Sequence, residues 1–275
     1  MVDGGAQGEA GGDFGCDGGG ESGPLHRGAP SDLYRPGVAE VRWITGFLDS
    51  PSLVAEGFWL DVTGSTRSPR RGDFATLVPA AGDAYLRVQI LPSSPPRTHL
   101  DLHVIDVTAT TVEAVGLGAA VVGDEGDLVV LRSPAGVVFC LVRWAGESVR
   151  PAPVAWPGGH VSAVDQLCVD VPGNAFDREV SFWSALTGWA RQASDLPQFE
   201  HLVRGAGMPL KLLFQRLDAG VAGMHVDLAC SDVEAEVERL VALGAEVVRR
   251  VPGDWTTLRD PLGREFCVTG RSPLF

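Results

Sequence analysis

The clearest alternation of polar and apolar positions lies near the C-terminus. His225-Val-Asp-Leu-Ala229 alternates with a period of two, as a strand with one buried face does. Ser231-Asp-Val-Glu234 then fits a capping box, and Val233, Val237, Leu240 and Val241 recur on one helical face. Gly244 supplies a left-handed stop. Ala245–Val251 and Thr256–Arg259 are predicted strands, Asp260-Pro-Leu-Gly263 a turn, and Arg264–Thr269 a last strand. The order is β-α-β-β-β. Upstream, a strand at Val164–Val169, a helix capped by Asn174 with Phe176, Val180, Trp183 and Leu186 on one face, and strands near Glu200–Arg204 and Leu210–Arg216 predict a second module of similar plan.

The pattern has already occurred once. His99-Leu-Asp-Leu-His-Val-Ile-Asp106-Val returns as His225-Val-Asp-Leu-Ala-Cys-Ser-Asp232-Val, and Leu117-Gly-Ala-Ala-Val-Val as Leu243-Gly-Ala-Glu-Val-Val. Leu131-Arg-Ser-Pro-Ala-Gly-Val-Val-Phe-Cys140 returns as Leu258-Arg-Asp-Pro-Leu-Gly-Arg-Glu-Phe-Cys267, and Phe58-Trp-Leu-Asp-Val-Thr-Gly64 as Phe182-Trp-Ser-Ala-Leu-Thr-Gly188. One copied domain accounts for this order and spacing. The copies are placed at 39–143 and 160–275, joined by a Pro- and Gly-rich linker at 144–159. Residues 1–38 are Gly-rich, acidic and poor in apolar side chains, which predicts a disordered tail.

Length and charge narrow the function. At 275 residues the chain has room for about two domains. A formal net charge of −13, without a compensating basic patch, argues against nucleic acid as a partner. There is no apolar run of membrane-spanning length and no secretory leader, so the expected location is cytoplasmic and no membrane partner is expected. Cys16, Cys140, Cys168, Cys230 and Cys267 are odd in number and lack a CxxC spacing, so free thiols are expected.

The run His225-x-Asp-Leu through Asp232-Val-Glu-Ala-Glu-Val-Glu-Arg-Leu-Val-Ala-Leu-Gly-Ala, with Asp260-Pro-Leu-Gly-Arg-Glu-Phe-Cys267 and the two Phe-Trp-x-x-x-Thr-Gly segments, resembles glyoxalase-like domains of the vicinal-oxygen-chelate superfamily. The resemblance covers about 41–142 and 160–270. It implies an α+β fold of two tandem glyoxalase/bleomycin-resistance-like domains, each built of two βαβββ modules that curl one sheet around a cleft. It also implies a divalent metal (Zn, Ni, Fe or Mn) held by side chains in that cleft, and a small-molecule ligand. A monomer or homodimer is expected.

Carried over residue by residue, His99 and His225 match the family's ligand histidine, Gln89 and Gln215 stand at or near the preceding ligand position, and Cys140 and Cys267 fall where metal-using members have their last glutamate. These six are the candidate metal ligands, and His225 and His99 the candidate catalytic residues. His nitrogen and Cys thiolate suit zinc, but no carboxylate is obvious among them. Authentic glyoxalase I chemistry, which needs a base, is therefore not expected. Other readings stay open. The histidines either line the cleft or orient the sheet, the cysteines either ligate or pack beside Phe139 and Phe266, and Asp101 and Asp227 share the histidines' face by alternation, with a structural hydrogen bond as their expected role. The implied function is lyase- or isomerase-type chemistry on a small oxygenated molecule. The alternative is non-catalytic sequestration of a small molecule, as in bleomycin-resistance proteins.

Overall fold

The structure, a computed structural model, describes residues 40–273. The tail expected at 1–38, with Cys16, lies outside the described residues.

The first half runs β1 (Val41–Ser50), α1 (Val54–Thr63), β2 (Thr66–Arg67), β3 (Phe74–Val78), β4 (Leu86–Ile90), β5 (Arg97–Val104), α2 (Val107–Gly116), β6 (Ala120–Asp124), β7 (Leu128–Arg132) and β8 (Val138–Arg143). Its strands form one sheet in the order β2-β3-β4-β1-β5-β8-β7-β6. The second half runs β9 (Val154–Ala155), β10 (Val161–Pro172), α3 (Phe176–Thr187), β11 (Ala190–Ala193), β12 (Phe199–Val203), β13 (Lys211–Leu217), β14 (Gly223–Cys230), α4 (Val233–Ala242), β15 (Glu246–Val251), β16 (Trp255–Arg259) and β17 (Glu265–Thr269). Its sheet has the order β11-β12-β13-β10-β14-β17-β16-β15, with β9 added against β10. The two orders are the same path. In each, the two central strands are antiparallel to each other and parallel to their outer neighbours β4 and β8, or β13 and β17. The fold is α+β, two tandem domains of two βαβββ modules each.

Two helix starts differ from the sequence expectation. Asn174 caps nothing: α3 begins after Ala175, with no side-chain cap. At α4 the cap is Asp232, which accepts from the Ala235 N–H, because Ser231 is taken by the Val161 N–H of β10. Asp106 caps α2 in the same way, through Ala109.

The repeated Phe-Trp-x-x-x-Thr-Gly segments close α1 and α3. Thr63 and Thr187 each donate to the tryptophan carbonyl one turn back at 2.7 Å. Gly64 and Gly188 then turn left-handed at φ 59° and 71°, which a Cβ would disfavour. The aromatic rings of each helix cross to the other half. Phe58 and Trp59 pack on Phe266 of β17, with ring centroids 5.9 and 5.2 Å away. Phe182 and Trp183 pack on Phe139 of β8 at 5.9 and 4.9 Å. Trp59 and Trp183 are fully buried. Each half therefore completes the core of its partner.

Alternation on the central strands divides core from cleft. Leu100, Leu102 and Phe139 of the first sheet, and Val226, Leu228 and Phe266 of the second, face the packed interior. Their neighbours His99, Asp101 and Cys140, and His225, Asp227 and Cys267, take the opposite face. Among the described residues no helix is long and apolar enough to cross a membrane.

Candidate functional site

Register makes the two cleft faces directly comparable. Phe47 of β1 pairs with His99 of β5, and Asp101 with Cys140 of β8. In the second sheet Cys168 of β10 pairs with His225 of β14, and Asp227 with Cys267 of β17. His99 and His225 each meet a carboxylate from the neighbouring strand: Nδ1 lies 2.9 Å from Asp49 Oδ2 in the first sheet and 2.9 Å from Asp170 Oδ2 in the second. The other ring nitrogen faces a second carboxylate, Asp101 at 3.7 Å and Asp227 at 3.3 Å. An Asp–His–Asp–Cys set is thus built twice.

Asp49 and Asp170 escaped the sequence reading because each stands 50 or more residues from its histidine in the chain. The signal was present. Phe47-Leu-Asp-Ser-Pro51 and Cys168-Val-Asp-Val-Pro172 share an apolar-Asp-x-Pro pattern ahead of the two Phe-Trp pairs. Asp101 and Asp227, placed on the histidines' face by alternation, lie beside the histidines and cysteines, and Asp227 also takes part in a buried hydrogen bond with Gln166. Gln89 and Gln215 occupy matching places, in register with Asp49 and Asp170, but a whole strand separates them from the histidines.

The sets differ in what surrounds them. In the first sheet the Phe47 ring stacks on His99, centroids 4.5 Å apart and planes 19° from parallel. The Arg87 guanidinium covers the Phe47 and Phe74 rings and lies 3.9 Å from Asp101, while Arg97 donates to Asp49 at 2.9 Å. Burial would raise Asp49, but the hydrogen bonds and charges of His99 and Arg97 hold it below the usual carboxylate range. Burial raises Asp101 despite His99 and Arg87, and it raises the Cys140 thiol. His103, hydrogen-bonded to Thr45 at 2.9 Å, is pushed down to about 4 by burial. Phe47 and the arginines fill this face.

The second sheet has Cys168 where the first has Phe47, and the smaller side chain leaves space. A cavity of about 370 Å³ is lined by Gln166, Cys168, Phe199, Leu213, Gln215, His225, Asp227, Trp255, Cys267 and Arg271 among others. A second, of about 510 Å³, reaches His225, Asp170, Gln215 and Cys267 from the other side. Phe199 and Trp255 meet edge to face at 5.6 Å along the first cavity. The Gln166 amide donates to Asp227 Oδ2 at 2.6 Å. Asp227 Oδ1 is buried, has no hydrogen bond among the described residues and faces His225 Nε2 at 3.3 Å. Cys267 Sγ lies 3.8 Å from His225 Nε2 and 3.5 Å from Thr257 Oγ1. Burial disfavours charge on His225, yet Cys168 and the Asp170 and Asp227 carboxylates outweigh it and raise its pKa well above the ordinary imidazole value. Burial pushes the Cys168 thiol up to about 12, against the pull of His225.

The sequence matches the profile of the glyoxalase-like domain over residues 48–142 and 166–269. The chain belongs to the glyoxalase-like domain family. The two matched segments coincide with the two sheets. No curated protein matches the sequence. Solved structures similar in fold include a variant of homoprotocatechuate 2,3-dioxygenase from B. fuscum in complex with HPCA, at 14% identity and TM-score 0.61, covering 86% of this chain and 73% of that one. A mutant of 4-hydroxymandelate synthase from Streptomyces coelicolor aligns at 15% identity and TM-score 0.52, covering 86% and 94%. A xylose isomerase-like TIM barrel/4-hydroxyphenylpyruvate dioxygenase fusion protein aligns at 16% and 0.52, covering 89% and 51%. At these identities the likeness concerns the fold.

The donor chemistry of the second cleft fits a divalent cation. His225, Asp227 and Cys267 offer one nitrogen, one oxygen and one sulfur within 4.8 Å of one another, and Asp227 Oδ1 has no hydrogen bond among the described residues. His99, Asp101 and Cys140 offer the same three atoms in the first sheet, all buried. In that sheet Asp101 Oδ1 is likewise without a hydrogen bond.

Proposed function

We propose that the second cleft is the working site, and that it acts on a small oxygenated molecule by lyase- or isomerase-type chemistry. The observation that carries the reading is the His225, Asp227 and Cys267 donor group at the wall of a cavity of about 370 Å³, with Asp227 Oδ1 buried, 3.3 Å from His225 Nε2 and without a hydrogen bond among the described residues. The contact of that oxygen with His225 Nε2 is an ion pair at 3.3 Å, which a bound cation or a ligand hydroxyl would replace.

His225, Asp227 and Cys267 would hold a divalent metal such as Zn, Ni, Fe or Mn, while Gln215 lines the same cavity from a strand further away. When bound, such an ion polarises adjacent substrate oxygens and favours the anion that forms on them. The chain's own residues prepare the rest. Asp170 takes the Nδ1 proton of His225 as a hydrogen bond and so leaves Nε2 directed at Asp227 and Cys267. Gln166 fixes the Asp227 carboxylate through Oδ2 and leaves Oδ1 to accept a proton or a ligand. Phe199 and Trp255 form an apolar wall that suits a ring and keeps water from the polar floor.

The test is elemental analysis of protein purified without chelator or affinity metal, paired with His225→Ala. About one ion per chain, lost in the variant, supports the reading. Tight small-molecule binding with no metal and no turnover favours sequestration instead. The observation behind that second reading is Cys267, a thiol where metal-using relatives carry a carboxylate. The first cleft, filled by Phe47 and Arg87, is assigned a structural role.

A further inference from the structure

The two copies differ just past the helices that carry the Phe-Trp pairs. The Phe-Trp-x-x-x-Thr-Gly segment is followed by Ser65 in the first half and by Trp189 in the second. Strand register extends the match. Leu86 pairs with Gly46 of β1 as Leu212 pairs with Leu167 of β10, so Gly82, four residues before Leu86, stands where the second half has Met208. Trp189 and Met208 are both buried and both lie against Gly205. At this corner the second half therefore packs an indole and a thioether, where the first half has a hydroxymethyl group and a hydrogen.

The linker takes up part of the difference. Val154 packs against Gly64, and Pro151 against Gly82. Space remains between the end of α1, the segment joining β3 to β4, the linker and the start of β10, as a partly open cavity of about 300 Å³. Ser65 lines it together with Leu77, Tyr85, Leu86, Pro153 and Val164 among others. It shares no lining residue with the two cavities at His225. Among the described residues no charged side chain lines it. Its hydroxyls have partners inside the protein: Tyr85 donates to the Val164 carbonyl at 2.8 Å, Ser162 donates to Glu236 at 2.9 Å, and Thr63 and Ser65 meet at 2.9 Å. Such a wall favours a neutral ligand, because a charge buried there would go uncompensated. Size sets the rest. An apolar cavity of about 150 Å³ holds one benzene ring, and this one, at about 300 Å³, suits two fused rings. The matching place in the second half already holds that shape, the Trp189 indole.

We propose that this cavity is a second binding site of the chain, for a neutral, flat, bicyclic molecule of indole size. The ligand supplies to the first half the ring that Trp189 supplies to the second. The assignment depends neither on a metal nor on the reaction at His225. One strand nevertheless carries both sites, since Ser162 and Val164 of β10 wall this cavity and Gln166 and Cys168 wall the one beside His225.

The test titrates the full chain calorimetrically with indole, indole-3-carboxylate and cyclohexanol. Indole should bind at least about tenfold tighter than either of the others, the first being charged and the second neither flat nor bicyclic. Ser65→Trp places the second half's side chain in the cavity and should abolish indole binding. Ser65→Leu, a smaller filling that decides the matter if the tryptophan variant does not fold, should weaken indole at least about tenfold. Trp255→Ala removes the aromatic wall of the cleft at His225 and should leave indole affinity within about twofold of wild type. The proposal is overturned if indole does not bind at millimolar concentration, or binds no tighter than the carboxylate or the cyclohexanol. It is equally overturned if folded Ser65→Leu keeps wild-type affinity, or if Trp255→Ala loses it, for then the ring occupies the other cleft.

Discussion

The indole N–H of Trp59 donates to Asp260 Oδ2 at 3.0 Å, joining residues 201 positions apart. Asp260 also holds Arg264 at 3.0 Å, and both are almost completely buried. The pseudo-equivalent contact is built differently. Ser133 stands in the place of Asp260, and the buried carboxylate comes instead from Glu179 of α3, which accepts from Trp183 and from the Ala135 N–H. Each junction keeps one carboxylate, drawn from the turn in one case and from the helix in the other. Trp59→Phe keeps most of the ring and should cost about 1–2 kcal/mol, the loss of one buried hydrogen bond. Asp260→Ala leaves Arg264 charged and buried, and should cost about 3–5 kcal/mol. Urea unfolding followed by tryptophan fluorescence ranks the two, and an Asp260→Ala loss no larger than that of Trp59→Phe contradicts the assignment.

His99→Ala and His225→Ala should separate stability from function. His99 is stacked under Phe47 and tied to Asp49, so its removal opens a buried gap and strands a carboxylate. We expect a loss of about 2–4 kcal/mol and little change in ligand affinity. His225 borders two cavities, and its removal should abolish ligand or metal uptake at a smaller stability cost. Melting curves and calorimetry on both variants decide the matter, and the reverse ranking refutes it.

Protonation of His225 gives a signed pH dependence. Its folded pKa lies above the unfolded value of about 6.5. The stability it contributes is therefore complete below about pH 6.5 and is lost as pH rises through the folded value. The melting-temperature gap between wild type and His225→Gln should be widest near pH 6 and narrow on the alkaline side. Metal uptake runs the opposite way, because the ion competes with the proton for Nε2, so zinc affinity should climb through and above neutral pH. A gap that widens with pH, or zinc affinity flat from pH 6 to 9, would count against the site as drawn.

Arg239 ties the second half to the first. Its guanidinium lies 3.6 Å from the Trp156 ring centroid, donates to Glu236 at 2.8 Å, and donates to the Asp61 and Val62 carbonyls at the end of α1. Arg239→Ala leaves Glu236 buried with His160 and Ser162 as its remaining side-chain partners among the described residues. A loss of about 3 kcal/mol or more in urea unfolding is expected, with Arg239→Lys recovering only part of it.

Much of the fold was legible because its signals are local. The α4 helix, the Asp260–Gly263 turn and the final strand follow from residues a few positions apart, and the duplication multiplied each signal by two. The candidate site was legible only where alternation within one strand suffices: it names His225 and puts Asp227 on the same face, though with a structural role expected for Asp227. The Asp170–His225 contact depends on which strands become neighbours, and no local period encodes that. Phe47 shows the limit most plainly. One ring in place of the Cys168 thiol separates a filled cleft from an open one, yet in the sequence both are apolar residues in a strand.

The exchange of α1 and α3 between the halves bears on how such a duplicated chain can change. Phe58 and Trp59 cover Phe266, and Phe182 and Trp183 cover Phe139, so neither copy could be deleted without exposing an aromatic floor in the survivor. A copy released from chemistry is not released from folding. Its cleft can fill with bulky side chains at no cost to the neighbour's cavity, while its helix remains indispensable to the strand beneath that cavity. On the proposed reading, the first half is retained for what its outer helix covers in the other half.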